Sequence, residues 1–171
     1  MDVQIRRWRT DDAEALAKAL NNKKILDNLR DGIPYPYTVS DAEDFITAML
    51  AADENSTFAW AIAVDGAAVG SIGAFRKDNV HRLTAEMGYY VAEEYWGKGV
   101  ATKAIREVLE YLFKNTDIIR VFAQPYAFNA GSCLALEKNG FTCEGTLRSN
   151  AVKNGRAVDM KMYAILKEDY I

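Results

Sequence analysis

The chain has 171 residues, half of them hydrophobic and about a quarter charged, with a formal net charge of −3. A domain of this length can bury enough surface to fold without disulfides or metal ions, and we expect one domain over residues 1–171. The acidic balance argues against a general nucleic-acid binder, which is usually basic.

The chain begins with a predicted strand and two helices. Residues 3–9 alternate enough to form the strand, and Thr10 is placed to cap the next helix, with two aspartates in its first turn. A second, shorter helix follows. Residues 31–39 contain two prolines, which exclude a helix. In this loop Tyr35 and Tyr37 either pack on the core or form a wall of a substrate pocket.

An antiparallel meander is predicted in the middle of the chain. Ser40 and Glu43 have the spacing of a capping box, which indicates that a helix begins there. Residues 57–64 and 67–76 are expected to be strands, and the Asp-Gly pair between them is typical of a type I′ hairpin turn. A third strand reaches Val91.

The stretch 93–104, EEYWGKGVATKA, follows that strand directly and opens a helix. Gly97 and Gly99 permit positive φ and close approach of a ligand to the backbone. The first N–H groups of a helix have no internal partner and lie at the positive end of the dipole. We therefore predict a phosphate or pyrophosphate site made mostly of backbone, with Lys98 nearby. The alternative is a glycine-rich helix start that only makes a turn.

Two familiar phosphate loops do not fit this stretch. A P-loop needs Gly-x-x-x-x-Gly-Lys-Ser/Thr, which is absent from the sequence. A dinucleotide fingerprint needs a glycine where Thr102 stands, and an acid at the end of the next strand. Asp117 has the right spacing but precedes the next apolar run.

The last third of the chain alternates helices and strands. The helix after the glycine pair carries one apolar stripe, and residues 117–123 are expected to be a buried strand parallel to the one before the helix. A second helix is predicted over 129–139. Residues 141–149 and 156–166 then form a hairpin with an Asn-Gly turn. The order predicts an α+β fold: one mixed, mostly antiparallel sheet with helices on both faces.

Metal, disulfide and membrane functions are not expected. Cys133, Cys143 and His81 supply too few soft ligands for zinc, and two free thiols fit a reducing compartment. There is no apolar run of about 18 residues and no signal-peptide pattern at the start. The expected setting is the cytoplasm.

In its motifs and their order, the chain resembles the GNAT superfamily of acetyl-CoA-dependent N-acetyltransferases. The family's acyl-CoA loop, Gln/Arg-x-x-Gly-x-Gly/Ala, aligns with residues 96–101, where Trp96 replaces the first residue. That replacement, the Asn-x-x-Ser…Gly-Phe block over 129–141 and the proline–tyrosine loop are similar to the RimJ/RimL-type branch, which acetylates protein N-termini.

The resemblance implies a V-shaped opening between the strand that ends at Val91 and the strand that starts at Asp117. The pantetheine arm of acetyl-CoA, the co-substrate, would pair with the backbone there, and the pyrophosphate would sit on the N–H groups of the glycine loop. The implied cofactor-binding residues are Tyr89, Tyr90, Val91, Trp96, Gly97, Lys98, Gly99, Val100, Ala101, Thr102 and Asn129. No metal is implied.

Transfer of an acetyl group to an amine needs a neutral amine, a stabilised carbonyl oxygen and a leaving thiolate. Backbone N–H groups at Tyr90 and Val91 could stabilise the oxygen. Glu86 is the candidate base, directly or through a water, on the strand face opposite Met87. Alternatively it is a surface glutamate paired with an arginine, Arg76 or Arg82.

The proton donor is less well marked. Many relatives use a tyrosine on the second helix, where this chain has Leu136. The resemblance then points to Ser132, either as an acid or only as a hydrogen-bond donor to sulfur. The alternative is a first-turn serine that satisfies backbone.

The sequence therefore predicts direct acetyl transfer from acetyl-CoA to a primary amine, and a protein N-terminal amine is one possible acceptor. An acetyltransferase of a small amine or aminoglycoside is an alternative, and so is a catalytically silent CoA-binding module. Nucleic acid and membrane are not expected partners. A homodimer is one option that the sequence leaves open.

Overall fold

A computed structural model describes residues 1–170 of the chain. Its centre is one seven-stranded sheet in the order β1-β2-β3-β4-β5-β7-β6. Only β4 and β5 pair in parallel, so the predicted α+β fold with a mixed, mostly antiparallel sheet is confirmed. The strands are β1 Val3–Arg6, β2 Thr57–Val64, β3 Ala67–Arg76, β4 Thr84–Val91, β5 Arg120–Ala123, β6 Thr142–Lys153 and β7 Arg156–Leu166.

Helices cover both faces of this sheet. One core lies under α4 and α5, and Met87 belongs to it; the other lies under α1, α2 and α3, and Tyr90 packs against it. Alternate β4 residues therefore face opposite cores, as period-two geometry requires. The helices are α1 Ala13–Leu20, α2 Lys23–Leu26, α3 Val39–Ala51, α4 Val100–Asn115 and α5 Ala130–Lys138.

Both predicted hairpin turns form. Asp65 and Gly66 have φ of 50° and 88°, and Asn154 and Gly155 have φ of 51° and 75°. Positive φ at both central residues is the mark of a type I′ turn, whose twist matches the flanking strands.

The two predicted caps in the first third of the chain are wrong in detail. No side-chain cap comes from Thr10; instead Asp12, held by Arg6 at 2.8 Å, accepts a hydrogen bond from the N–H of Arg9. The capping box of α3 is formed by Thr38 and Asp41, so the helix begins one residue before Ser40. Both aspartates have the better position because a carboxylate reaches back to the N–H three residues before it.

The strand predicted over 117–123 is shorter than expected. The side chain of Asp117 lies outside the sheet, 2.8 Å from Arg76 at the end of β3, and β5 begins only at Arg120. In contrast, β6 continues to Lys153, past a register irregularity between Leu147 and Ala151. The longer β6–β7 hairpin reaches towards α2.

Candidate functional site

The sheet opens between β4 and β5. Pairing between these strands ends at Glu86 and Phe122, while β4 stays paired with β3 as far as Val91. The predicted V-shaped opening is therefore confirmed, with β5 starting at Arg120. At the closed end, the carbonyl of Leu83 accepts from the N–H of Ile119, on the β5 side.

Strand alternation decides which peptide groups face the opening. The carbonyl of Leu83 points towards β5, whereas the carbonyl of Thr84 points towards β3 and accepts from the N–H of Lys77 at 2.9 Å. Counting in twos along β4 turns the peptide groups of Tyr89 and Val91 towards the opening and those of Tyr90 towards β3. Of the two expected oxyanion donors, the N–H of Val91 faces the opening and that of Tyr90 does not. The N–H of Tyr89, which was not expected, also faces it.

A cleft of about 520 Å³ occupies this opening. All the predicted cofactor-binding residues except Lys98 line it, and so does Ser132. Its remaining walls come from α2 and the residues after it, and from α5. The lining residues are Ile25, Asn28, Leu29, Tyr89, Tyr90, Val91, Tyr95, Trp96, Gly97, Gly99, Val100, Ala101, Thr102, Asn129, Gly131, Ser132, Leu134, Ala135 and Lys138.

The start of α4 forms one end of the cleft. Gly97 and Gly99 have φ of 71° and 77°, which only glycine adopts without strain, and Gly99 caps the helix with no side chain to bond the first N–H groups. A cap of this kind leaves the N–H groups of Val100, Ala101 and Thr102 available to an anion. Binding of the pyrophosphate at these N–H groups stays a prediction.

Two side chains of the glycine loop behave differently. The indole Nε1 of Trp96 donates to the carbonyl of Val91 at 2.7 Å, which ties the loop to the end of β4. Lys98 lies outside the cleft, with its Nζ 5.5 Å from the centre of the Tyr95 ring. Lys98 therefore does not line the cleft, whereas Gly97 and Gly99 on either side of it do.

Ser132 stands on the first turn of α5 and faces β4. The side-chain oxygen of Asn129 accepts from the Ser132 N–H at 3.2 Å, so Asn129 is the helix cap. The Ser132 Oγ lies 2.6 Å from the hydroxyl of Tyr89. Burial raises the pKa of Tyr89 well above its usual value, and Tyr89 is therefore a neutral phenol near pH 7. Leu136, at the place of the family tyrosine, is fully buried.

Glu86 lies on the α1–α3 side of β4, on the same face as Tyr90. Its side chain is 17% exposed, and its two oxygens contact Arg30 at 2.7 Å and Lys77 at 3.5 Å. The prediction that Glu86 would pair with Arg76 or Arg82 is wrong. Arg76 instead bonds Asp117 and main-chain carbonyls, because β3 turns it away towards the start of β5.

The two loop tyrosines do not line the cleft. Tyr37 is buried in the core under α1–α3, where burial raises the pKa of its hydroxyl, and its N–H donates to Asn21 at 2.8 Å. Tyr37 therefore packs on the core, which was one of the two alternatives for the loop tyrosines. Tyr35 is more than half exposed on the same loop. A substrate contact by either one stays a prediction.

Residues 27–31, which we call the bridging segment, were not predicted to belong to the site. Its Leu29 carbonyl accepts from the hydroxyl of Tyr126 at 3.1 Å. Asp27 and Asp31 accept from Asn154 and Lys153, at the tip of the β6–β7 hairpin, at 3.0 and 2.9 Å. These contacts join residues about a hundred positions apart, so no local pattern could have indicated them.

The structure of residues 1–170 also shows where the cysteines and the metal-ligating side chains lie. Cys133 is buried and does not line the cleft. Within that range, no group of three His, Cys, Asp or Glu side chains is close enough to hold a metal ion. None of the described helices is both long enough and apolar enough to cross a bilayer.

Comparison with known proteins gives a family match. A family model described as an acetyltransferase (GNAT) domain matches residues 2–142. A protein of Bacillus subtilis (strain 168) named Probable N-acetyltransferase YjcK is 35% identical over 136 residues, which are 78% of this chain and 75% of that protein. Spermidine N(1)-acetyltransferase of Vibrio cholerae is 29% identical over 60% of this chain and 59% of that protein.

A solved structure shares the fold. RimJ of Mycobacterium smegmatis, in complex with a CoA-disulfide, superposes with a TM-score of 0.87 at 26% identity, and the match covers 97% of this chain and 82% of that one. The chain thus shares its fold with a protein whose structure contains a CoA-disulfide.

Proposed function

Because the chain belongs to the GNAT acetyltransferase family, we propose that it moves an acetyl group from acetyl-CoA directly to a primary amine, and that the amine is a protein N-terminus. The observation that carries the proposal is the shared cleft. The Tyr89–Val91 edge of β4 and the uncapped start of α4 lie in one cavity of about 520 Å³. A strand edge and a helix N-terminus suit an amide-bearing arm and a pyrophosphate.

In the proposed reaction the amine nitrogen attacks the thioester carbon, the C–N bond forms and the C–S bond breaks. The N–H groups of Tyr89 and Val91 hold the carbonyl oxygen as it gains charge. Glu86 takes the amine proton, either directly or through a water. Ser132 gives a hydrogen bond to the departing sulfur, and the Tyr89 hydroxyl, 2.6 Å away, fixes the orientation of the serine.

The resemblance to the RimJ/RimL-type branch, which acetylates protein N-termini, supports a protein N-terminus as acceptor, and the fold is shared with a RimJ. A small amine is the second candidate, and similarity to a spermidine N(1)-acetyltransferase favours it. A catalytically silent CoA-binding module is the third, which the buried Leu136 in place of a tyrosine keeps open. Residues 1–171 as a single N-acetyltransferase domain, the cytoplasm, a homodimer, and the exclusion of nucleic acid and membrane all stay predictions.

The test measures binding and turnover separately. Millimolar acetyl-CoA should raise the melting temperature of the protein by mass action. Release of CoA is then followed with a panel of N-terminal peptides, spermidine and an aminoglycoside. Absence of a thermal shift in folded protein would remove the enzyme and the silent module together, whereas binding without any CoA release would leave the silent module.

A further inference from the structure

The candidate base carries more positive than negative charge around it. Glu86 contacts two cations, Arg30 and Lys77, so the three side chains together carry a net charge of about +1. We infer that the acceptor is an amine with a carboxylate close to the reacting nitrogen, and that Arg30 and Lys77 bind this carboxylate. The inference rests on the proposed acetyl transfer and specifies which amines enter.

The segment that carries Arg30 is held in place by contacts of its neighbouring residues. Arg30 belongs to the bridging segment, whose main chain is held by Tyr126 and whose aspartates are held by the hairpin tip. The anchoring lysine, Lys153, is itself almost fully buried. The segment that carries Arg30 is thus held by contacts that do not involve Glu86, so its main chain can present the arginine as a recognition group.

The guanidinium of Arg30 has room for a second carboxylate. One terminal nitrogen contacts Glu86 at 2.7 Å, yet the side chain is 62% exposed. Arginine carries five N–H donors in a planar fork, so it can hold two carboxylates at once. Lys77 adds a compact positive charge at 3.5 Å from the other Glu86 oxygen. An ammonium beside Glu86 and a carboxylate beside the two cations would complement all three groups.

The same charges disfavour a polyamine. Among the described residues that line the cleft, none is acidic, and Lys138 is the charged one. Asp27 and Asp31, the aspartates of the bridging segment, are already bound to the hairpin. A spermidine molecule would bring two or more positive charges to Glu86, which already has two cationic partners. A like-charge contact of this kind opposes binding.

The experiment uses peptides that differ at one position. Three peptides carry an N-terminal serine followed by aspartate, alanine or lysine; free aspartate and spermidine complete the panel. For the wild-type protein we expect kcat/KM for the aspartate peptide to exceed that for the alanine peptide by about tenfold, the size of one charge-assisted hydrogen bond. Free aspartate shows whether the carboxylate suffices or a peptide is required.

Arg30→Gln should bring the ratio of aspartate to alanine peptide close to one, with the Kd of acetyl-CoA unchanged. Lys77→Gln should lower the ratio less, because its contact is longer. Lys23→Gln, which removes an exposed lysine outside the cleft, is the matched control and should keep the wild-type ratio.

An unchanged ratio in both Arg30→Gln and Lys77→Gln, with normal melting curves, would overturn the inference, and so would a wild-type preference for spermidine. Either result would leave the proposed acetyl transfer to a primary amine intact, but a preference for spermidine would replace the protein N-terminus as the acceptor. Acetyl-CoA binding with no turnover on any acceptor would instead remove the proposed function and this inference with it.

Discussion

The two halves of the proposed site, one for the cofactor and one for the acceptor, are built from different kinds of chemical group. The half that faces the proposed cofactor consists of consecutive residues of β4, the glycine loop and the start of α4, and it presents main-chain groups. The proposed acceptor half, whose Glu86, Arg30 and Lys77 do not line the cleft, brings these side chains together from three separate segments through ion pairs. Backbone groups depend on φ and ψ, whereas ion pairs depend on side-chain identity, salt and neighbouring charges.

This contrast implies different sensitivities to mutation. In the cofactor half, a side chain matters when it changes the backbone, and Gly99 with φ of 77° is the clearest case. In the acceptor half, replacing one charge alters the chemistry while the fold persists. The following variants test that division.

The largest effect is expected from Glu86→Gln, which removes the basic oxygen but keeps the size of the side chain. Turnover should fall by roughly 10²- to 10⁴-fold with the Kd of acetyl-CoA nearly unchanged. Part of the loss should return at higher pH, where more of the acceptor amine is already neutral. The measurements are pH–rate profiles and melting curves of both proteins.

Glu110→Gln is the control for Glu86→Gln, because it breaks an exposed ion pair with Lys114 far along α4. It should leave turnover unchanged. A Glu86→Gln protein with wild-type rates across the pH range and only a lower melting temperature would make Glu86 a structural residue.

Gly99→Val should weaken acetyl-CoA binding by roughly 10- to 100-fold, as expected for losing one or more hydrogen bonds to a charged phosphate. No atom lies within 4 Å of the position that a Cβ would take, so the cause is the left-handed backbone and not a clash. Gly66→Val places the same strain in a hairpin turn, at φ of 88°, and should leave the affinity unchanged. Calorimetric titration of both variants decides the comparison.

Ser132→Ala should lower kcat by about tenfold and Tyr89→Phe by about threefold, with the double variant close to Ser132→Ala alone. The raised pKa of Tyr89 keeps the phenol neutral at lower pH, so its effect should be constant from about pH 6 to about pH 9. Fully additive losses would mean that the two hydroxyls act independently.

The smallest effect is expected from Lys98→Ala. Its Nζ lies against the Tyr95 ring and outside the cleft, so the Kd of acetyl-CoA should change by less than about threefold. A loss of affinity as large as that of Gly99→Val would mean that Lys98, and not the backbone, makes the main contact with acetyl-CoA.

The same division explains what the sequence could predict. The meander, both Asn-Gly and Asp-Gly turns and the strand–glycine–helix unit follow from local chemistry, and they were predicted correctly. Cap positions were off by one or two residues, because Thr38 and Asp41 compete with Ser40 and Glu43 at the same spacing.

The acceptor half could not be derived in this way. Glu86 could be picked out by its strand position, but its partners were misassigned. Arg30 lies 56 residues away, and Asp31 and Lys153 are separated by 122. Side chains that meet only through tertiary folding leave no periodic pattern in the sequence. For Tyr89 the sequence predicted only a main-chain contact with the cofactor. The contact of its hydroxyl with Ser132 was seen only in the structure.

The opening between β4 and β5 has a kinetic consequence. Its walls include Leu134 of α5 on one side of the sheet and Ile25 and Leu29 on the other, so residues from both faces of the sheet line it. Donor and acceptor would approach from opposite sides, and neither would have to leave before the other arrives. Steady-state rates should then follow a sequential scheme with intersecting reciprocal plots, and labelled CoA should not exchange into acetyl-CoA until an amine is present.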